Sequence, residues 1–432
     1  MRPHPNRRHF LGCCGAAAAT GLFTSLQAQA RCSDPTPAEL MRHERVQQAL
    51  AGLDASALWD VHAHLLGTGD SGSGCSIHEH MSQWWHPLEF MRRRVILGAA
   101  CVEGDAPSVD RAYAQRLQQL AADFPPGARW LLYAFDHALD ERGRERPDWT
   151  TFHVPNAYAA KVAASQPDRF EWVASIHPYR EDALARLDAA LAQGARAIKW
   201  LPSAMNIDLR DARCRPFYAR LAATGVPLIV HCGEEKAVPG AGRDELGNPL
   251  LVRSALTQGV RVIVAHCASL GAALDLDQKR PSEVGAFSLF ARLMGEADAQ
   301  PLLYGDISAL FQTNRAASTW AAVLANTHWH GRLMYGSDYP LPGVKQLFRL
   351  GVLVDAGLID ADAAELLQGL REHNPLLFNL VLLRQIRWRG QGLSATVFDT
   401  RRHFQPQRVA TSNSHPGTPP SRVAKVSAGS TS

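Results

Sequence analysis

A short stretch near residue 60 carries three side chains that can bind a metal ion. It reads Asp60-Val61-His62-Ala63-His64 and ends an apolar run of strand type. Because side chains two residues apart on a strand share a face, Asp60, His62 and His64 are expected to point together into the protein. Two imidazoles at this spacing can chelate one divalent ion, although a hydrogen-bonded pair of core histidines would show the same pattern.

Four further polar side chains lie far apart in the chain but in similar surroundings. Each stands at or near the carboxyl end of an apolar run, and they are Lys199, His231, His266 and Asp338. Buried polar and charged groups cost free energy unless they are paired or bind a metal. If the fold brings these ends together with His62 and His64, the six residues predict a metal site with catalytic groups.

The elements that must position these residues are eight short runs rich in Val, Ile, Trp and Tyr, which predict buried parallel strands. The runs cover 57–65, 129–136, 170–179, 195–201, 227–233, 261–267, 302–308 and 333–340. Helical patterns separate most of them, at 108–124, 183–192, 217–224, 250–258, 282–294, 316–325 and 344–355. Repeated strand–helix units of this number predict an α/β protein with a closed (β/α)8 TIM barrel. An open doubly wound sheet would need a Gly-rich phosphate turn after the first strand, and the sequence has none there.

Two segments are longer than a connection requires. Residues 67–107 and 137–154 follow the first two predicted strands, and such extended β-to-α loops usually shape a substrate pocket. His137 and His177, at the ends of predicted strands two and three, are weaker candidates for substrate binding and could equally be loop histidines with structural partners. After the barrel, residues 360–387 predict helices that are broken at Asn374-Pro375 and pack outside it.

The amino terminus has the pattern of a secretory signal. Arg7-Arg8 precede an uncharged run that ends in Ala28-Gln29-Ala30. This arrangement is typical of a twin-arginine signal peptide over 1–30, and an amphipathic helix is the alternative. A periplasmic or secreted location is therefore predicted. The remaining chain divides into a lead-in over 31–56, the barrel over 57–388 and a disordered basic tail over 389–432.

Composition and charge limit the kinds of partner that the protein is expected to bind. The 432 residues are 46% hydrophobic and 20% charged, which is ordinary for a globular protein. Of the net charge of +4, residues 1–30 carry +3 and residues 389–432 carry +5, so the predicted fold between them is mildly acidic. This balance argues against nucleic acid as a partner. No run is long enough for an integral membrane span, and eight cysteines do not suggest a disulfide scaffold. A small-molecule substrate is expected, and homo-oligomer formation stays open.

The combination of these motifs resembles the metal-dependent amidohydrolase superfamily of TIM-barrel hydrolases. The shared pattern is Asp-x-His-x-His on strand one, Lys on strand four, His on strands five and six, and Asp on strand eight. The sequences Ile198-Lys199-Trp200-Leu201-Pro202 and Tyr335-Gly336-Ser337-Asp338-Tyr339-Pro340, with Asn374-Pro375, are most similar to its amidohydrolase-related (amidohydrolase 2) branch. The resemblance covers about residues 57–380.

The resemblance implies roles for the candidate residues. His62, His64 and Asp338 would hold one divalent metal, expected to be zinc, and His231 would be a further ligand. Asp338 would also accept the proton from metal-activated water. His266 would hold a second metal or act as a catalytic imidazole. Lys199 would either be carboxylated and bridge two ions, or stay unmodified and bind a substrate carboxylate.

Three functions follow from this reading. The first is a hydrolase that attacks an amide, ester or lactone carbonyl with metal-activated water. The second is a metal-dependent decarboxylase of a small aromatic carboxylic acid, since the same branch contains such enzymes. The third is a secreted barrel that binds a metal or ligand without catalysis, and the complete ligand set argues against it.

Overall fold

The computed structural model describes residues 35–405, and eight of its strands pair in parallel. These strands are β1 (Trp59–His64), β2 (Arg129–Tyr133), β3 (Phe170–Val173), β4 (Ile198–Trp200), β5 (Leu228–His231), β6 (Val262–Ala265), β7 (Leu303–Asp306) and β8 (Leu333–Met334). Each overlaps one of the eight apolar runs, so the predicted strands are confirmed.

Backbone hydrogen bonds join the eight strands into a ring. β1 to β3 form one parallel sheet and β4 to β8 form another. The amide of Lys199 donates to the carbonyl of Ala174 at 2.8 Å, which joins β3 to β4. The amide of Val61 donates to the carbonyl of Tyr335, directly after β8, at 3.1 Å. The fold is therefore the predicted (β/α)8 barrel, whose strand carboxyl ends meet at one rim.

Helices and short pairs of strands fill the connections. The α-helices are Ala38–Arg42, Glu44–Leu50, Pro87–Ala99, Val109–Ala122, Asn156–Ser165, Ala183–Ala192, Pro202–Met205, Cys214–Thr224, Arg253–Leu256, Ala286–Gly295, Ala317–Ala325, Leu350–Asp355, Ala361–His373 and Pro375–Gln385. Short 3-10 helices are Glu79–Ser82, Pro147–Trp149, Asp244–Gly247, Pro249–Val252, His266–Ala268, Thr327–Arg332, Leu341–Gly343, Ala395–Val397 and Arg401–His403. Ser76–Ile77 pairs with Phe152–His153, and Ala272–Leu274 pairs with Glu283–Gly285.

Three predicted helices are shorter than expected. The helix predicted over 250–258 is Arg253–Leu256, which follows the 3-10 turn Pro249–Val252. The helix predicted over 282–294 is Ala286–Gly295, because Glu283–Gly285 is taken into an antiparallel pair before it. The helix predicted over 344–355 is Leu350–Asp355. Before Leu350–Asp355 the side chains of Val344 and Phe348 are buried, so the apolar spacing continues beyond that helix.

Two of the helices that the sequence analysis did not predict lie in the connections after β1 and β2. Pro87–Ala99 lies inside the long segment over 67–107 and contributes to the wall of the rim cavity. Asn156–Ser165 connects β2 to β3, and it is half alanine. Alanine favours helix but carries little apolar contrast, so this helix gives a weak periodic signal.

The region after the barrel forms the two predicted helices, Ala361–His373 and Pro375–Gln385. Asn374 separates them, and its side-chain oxygen accepts hydrogen bonds from the amides of Leu376 at 3.1 Å and Leu377 at 3.0 Å. An Asn at the cap and a Pro at the first position both favour the start of a new helix. The break at Asn374-Pro375 is therefore a capping site.

The predicted start of the basic tail at residue 389 is wrong. Phe404 stacks on Trp59 at the start of β1 with ring centroids 6.5 Å apart. The amide of Trp59 donates to the hydroxyl of Thr400 at 2.8 Å. Residues 389–405 thus close the amino-terminal end of the barrel, although their arginines resemble a solvated tail in sequence. The rest of the predicted tail and the signal predicted over 1–30 lie outside the described residues.

Cysteines and hydropathy add two observations. Cys75, Cys214, Cys232 and Cys267 are free and buried, and so act as small core residues, whereas Cys101 is disulfide-bonded. Between residues 35 and 405, no helix has the length and apolar character needed to cross a membrane.

Candidate metal centre

A cavity of about 440 Å³ opens at the rim formed by the carboxyl ends of the strands. This size lies within the range of small-molecule sites in enzymes. All six residues predicted as ligands or catalytic groups line it, namely His62, His64, Lys199, His231, His266 and Asp338. The fold therefore brings together groups that span more than half of the chain.

Three of these side chains form a tight group. One ligand atom from each of His62, His266 and Asp338 lies within 4.8 Å of the other two, and all three residues are buried. Nε2 of His64 lies 3.1 Å from Oδ1 of Asp338, and Nε2 of His62 lies 3.6 Å from the same oxygen. Both histidines of β1 thus lie close to the same carboxylate oxygen of Asp338.

The backbone of β1 departs from regular pleating at the site. Its pairing register with β2 shifts between Asp60 and Ala63. Trp59 and Val61 pack in the apolar cluster inside the barrel, yet His62 lines the cavity. A bulge of this kind re-aims a side chain, and here it lets an apolar interior and a ligand pair share one strand.

Asp60 does not line the cavity, so the expectation that it points there with His62 and His64 is wrong. Its Oδ1 accepts hydrogen bonds from the amides of His62 at 3.1 Å and Ser337 at 2.9 Å. Burial raises the pKa of Asp60 to about 7. Asp60 therefore positions the backbone on which His62 and Asp338 stand.

Two ligand candidates have left-handed backbone conformations. His266 has φ of 56° and Asp338 has φ of 58°. Such values are unfavourable for residues other than glycine and persist only where the surroundings enforce them. At both positions the chain turns sharply at the end of a strand or just beyond it, and this turn directs the side chain into the cavity.

Asp306, at the end of β7, is a site residue that the sequence analysis missed. It is fully buried, and its Oδ2 lies 3.0 Å from Nδ1 of His62. Its Oδ1 accepts the amide of His266 at 3.0 Å and also the hydroxyl of Ser308. That hydroxyl lies 2.7 Å from Nδ1 of His266. With Nδ1 engaged, each imidazole presents Nε2 for a metal, as metal-binding histidines usually do.

Lys199 and His231 face the same cavity from β4 and β5. The ammonium nitrogen of Lys199 is buried and has no hydrogen-bond partner among residues 35–405. Burial lowers the pKa of Lys199 to about 8, which favours the neutral amine. Nε2 of His231 lies 3.3 Å from Oε2 of Glu235, whose other oxygen accepts the amides of Ala237 and Val238.

His137 and His177 are not among the residues that line the cavity. Nε2 of His177 lies 2.8 Å from the carbonyl oxygen of Met205, and its Nδ1 accepts the amide of Tyr179 at 3.2 Å. His137 stacks on His153 with ring centroids 3.8 Å apart. Both have structural partners in the loops, and the substrate-binding role considered for them stays a prediction.

The donor set fits a divalent transition metal. Zinc favours imidazole nitrogen and carboxylate oxygen, and both are present in the buried group. Nε2 of His62 is buried and has no hydrogen-bond partner within the described chain. Burial lowers the pKa of His62, His231 and His266, which keeps the imidazoles neutral as metal ligands must be.

Comparison with known proteins gives one family and several solved structures. The family model described as amidohydrolase matches residues 59–376. No curated protein sequence matches the chain. An uncharacterised TIM-barrel protein from Bordetella bronchiseptica is 19% identical, with a TM-score of 0.45, over 72% of this chain and 98% of its own.

Two further solved structures are of proteins whose names state an activity. A putative 2-pyrone-4,6-dicarboxylic acid hydrolase from Pseudomonas putida is 17% identical, with a TM-score of 0.40, over 75% of this chain and 97% of its own. A 5-carboxyvanillate decarboxylase from Sphingomonas paucimobilis is 11% identical, with a TM-score of 0.45, over 81% of this chain and 99% of its own.

Proposed function

The chain belongs to the amidohydrolase family, and from that membership we propose that it is a metal-dependent hydrolase of an amide, ester or lactone carbonyl. The observation that carries the proposal is the buried group of His62, His266 and Asp338, with His64 on the same carboxylate. A bound divalent metal polarises a carbonyl and lowers the pKa of a coordinated water toward about 7.

Asp338 is the proposed general base. It lies in the cavity, where it can accept a proton from the attacking water and return it to the leaving nitrogen or oxygen. Nε2 of His64 and Nε2 of His62 both approach its Oδ1, at 3.1 and 3.6 Å, so these contacts use one carboxylate oxygen and leave the other to take the proton. Asp306 and Ser308 hold the rings of His62 and His266 in place.

Lys199 has two proposed states that differ in metal count. A neutral buried amine can react with CO₂ to give a carbamate, which would bridge two ions. An unmodified Lys199 would instead hold a substrate carboxylate beside a single ion. The lack of a hydrogen-bond partner for its nitrogen supports either state, whereas the lowered pKa favours the carbamate, which forms from the neutral amine.

A substrate panel tests the proposed function. Protein loaded with zinc or manganese is assayed against amides, esters, lactones and aromatic carboxylic acids, with release of CO₂ followed in parallel. Hydrolysis of one class, lost in Asp338→Asn, is the expected result. Release of CO₂ without hydrolysis would instead identify a decarboxylase.

We also propose export to the periplasm, on the basis of Arg7-Arg8 and Ala28-Gln29-Ala30. The disulfide bond at Cys101 supports this, since such bonds persist mainly in oxidising compartments. Replacing Arg7 and Arg8 by Lys should trap an active precursor in the cytoplasm. Continued export and cleavage near Ala30 would instead indicate the general secretory route.

A further inference from the structure

The cavity has an apolar wall that metal binding does not require. Helix Pro87–Ala99 contributes Met91, Val95 and Ile96 to it. The segment that follows Asp338 contributes further apolar side chains, including Val344 and Leu347. Apolar groups at a ligand site gain stability when a ligand removes them from water. The space beside the metal-binding residues is therefore suited to a hydrocarbon or aromatic body.

Arg315 faces this cavity without a carboxylate partner. Its Nε donates to the hydroxyl of Ser269 at 3.0 Å, and its Nη1 donates to the side-chain oxygen of Asn314 at 3.0 Å. Both partners are neutral, so they orient the guanidinium without cancelling its charge. A half-buried arginine that lacks an anion is partly desolvated at a cost in free energy, and an anionic ligand would offset that cost.

The carboxylates near Arg315 are already engaged elsewhere. Glu234 pairs with Lys236 at 3.3 Å, Glu235 contacts His231, and Asp338 contacts His64. None forms an ion pair with Arg315 within residues 35–405. Burial lowers the pKa of Arg315 to about 10, in keeping with a guanidinium that is partly desolvated and unpaired.

Arg92 adds a second cation to the apolar wall. It stands on helix Pro87–Ala99, is half-buried and lines the cavity. No hydrogen bond or ion pair to it is present in the described part of the chain. Its neighbour Arg94 is exposed, lies over the ring of Phe90 at 5.9 Å and does not line the cavity. The two arginines therefore form a matched pair for comparison.

We infer that the substrate is an organic carboxylate with an apolar body, whose carboxylate is bound by Arg315 and Arg92 and whose body packs on Met91, Val95 and Ile96. That this carboxylate is a substrate rests on the proposed function, whereas its binding to Arg315 and Arg92 does not. Arginine suits this role because its planar fork can donate two parallel hydrogen bonds to one carboxylate.

Calorimetric binding to the metal-loaded protein tests this inference. The probes are phenylbutyrate, the neutral phenylbutanol and the short carboxylate propionate. We expect Arg315→Gln to raise the Kd of phenylbutyrate at least about tenfold and to change that of phenylbutanol less than about twofold. Arg92→Gln should act in the same direction but more weakly, because Arg92 is less constrained. Arg94→Gln is the control and should bind all probes as the unmodified protein does.

The apolar wall is tested separately. Propionate should bind at least about tenfold more weakly than phenylbutyrate, since it leaves the wall exposed to water. Met91→Gln should weaken phenylbutyrate and phenylbutanol alike. If Arg315→Gln does not fold, as judged by its Tm, then Arg315→Lys keeps the charge without the fork and should give an intermediate Kd.

Several results would overturn the inference. One is an unchanged Kd for phenylbutyrate in Arg315→Gln, as expected if the carboxylate only coordinates the metal. Equal affinity for propionate and phenylbutyrate is another. The third is no binding of phenylbutyrate up to about 10 mM. Hydrolysis of neutral substrates with no binding of phenylbutyrate would leave the proposed function standing alone. Binding that depends on Arg315 without turnover on any panel member would leave only the present inference.

Discussion

At the amino-terminal end of the barrel Glu171 lies between Arg129 and Arg196, whereas at the opposite rim the amine of Lys199 has no hydrogen-bond or ion-pair partner in the described structure. Both groups are buried or nearly so. The two arginines also lie over the ring of Trp59, at 5.7 and 5.6 Å. The amino-terminal end thus satisfies its charges with its own side chains.

The rim leaves comparable groups without partners. Nε2 of His62 and the nitrogen of Lys199 are both buried and unbonded within residues 35–405. Native proteins pair nearly all buried polar atoms, so a cluster of exceptions calls for an explanation. This difference supports the proposal that one end of the barrel provides stability and that the other keeps its charged and imidazole groups for a metal and a substrate.

The largest effect is expected from Asp338→Asn, which removes the proposed base at the rim but keeps its shape. Turnover of the substrate found in the panel should fall by at least about 10². The Tm should stay close to that of the unmodified protein. Steady-state kinetics measure this, and activity within tenfold of the unmodified protein would contradict the role of Asp338.

Lys199→Ala is expected to have the next largest effect, and it decides what the unpaired amine does. If Lys199 is carboxylated and bridges two ions, the variant should lose about one metal ion and regain activity with added short carboxylic acids. If Lys199 binds substrate, metal content should stay the same while KM rises. Metal content and KM both unchanged would contradict either role.

Glu171→Gln should have the smallest effect on catalysis and the clearest effect on stability. It removes the shared anion and leaves Arg129 and Arg196 facing each other. The pair is partly exposed to solvent, so we expect a loss of about 1–3 kcal/mol in the free energy of unfolding. Denaturant titration measures the loss. Unchanged stability, or a changed metal content, would contradict the proposal that the amino-terminal end stabilises the barrel while the opposite rim binds the metal.

Much of the fold could be predicted because the barrel repeats one simple signal. Each strand is a short apolar run, and the ligand candidates stand at or near the ends of these runs. The boundary at residue 389 was placed too early because Arg389, Arg401 and Arg402 mask Phe404, whose packing on Trp59 is not local in sequence. Local patterns indicate elements, whereas contacts between distant residues decide what is folded.

At the candidate site, too, local sequence patterns identify residues but do not show the contacts that orient them. His62 and His64 were found from regular alternation, but the bulge in β1 removes Asp60 from the cavity and turns His62 toward it. Asp306 was missed, although an acid at the end of a buried strand in Gly305-Asp306 is a usable signal. Glu235 could not be separated from Glu234 by sequence, because only the loop conformation decides which of them faces His231.

Elemental analysis of the purified protein tests the central claim most directly. The claim is that the unpaired groups at the rim are arranged for a divalent metal. After growth with added zinc, the protein should contain about one to two divalent ions per chain, and Glu171→Gln should contain the same number. Less than about 0.3 ion per chain would contradict the claim, because the buried donors of His62, His266 and Asp338 would then have no metal to bind.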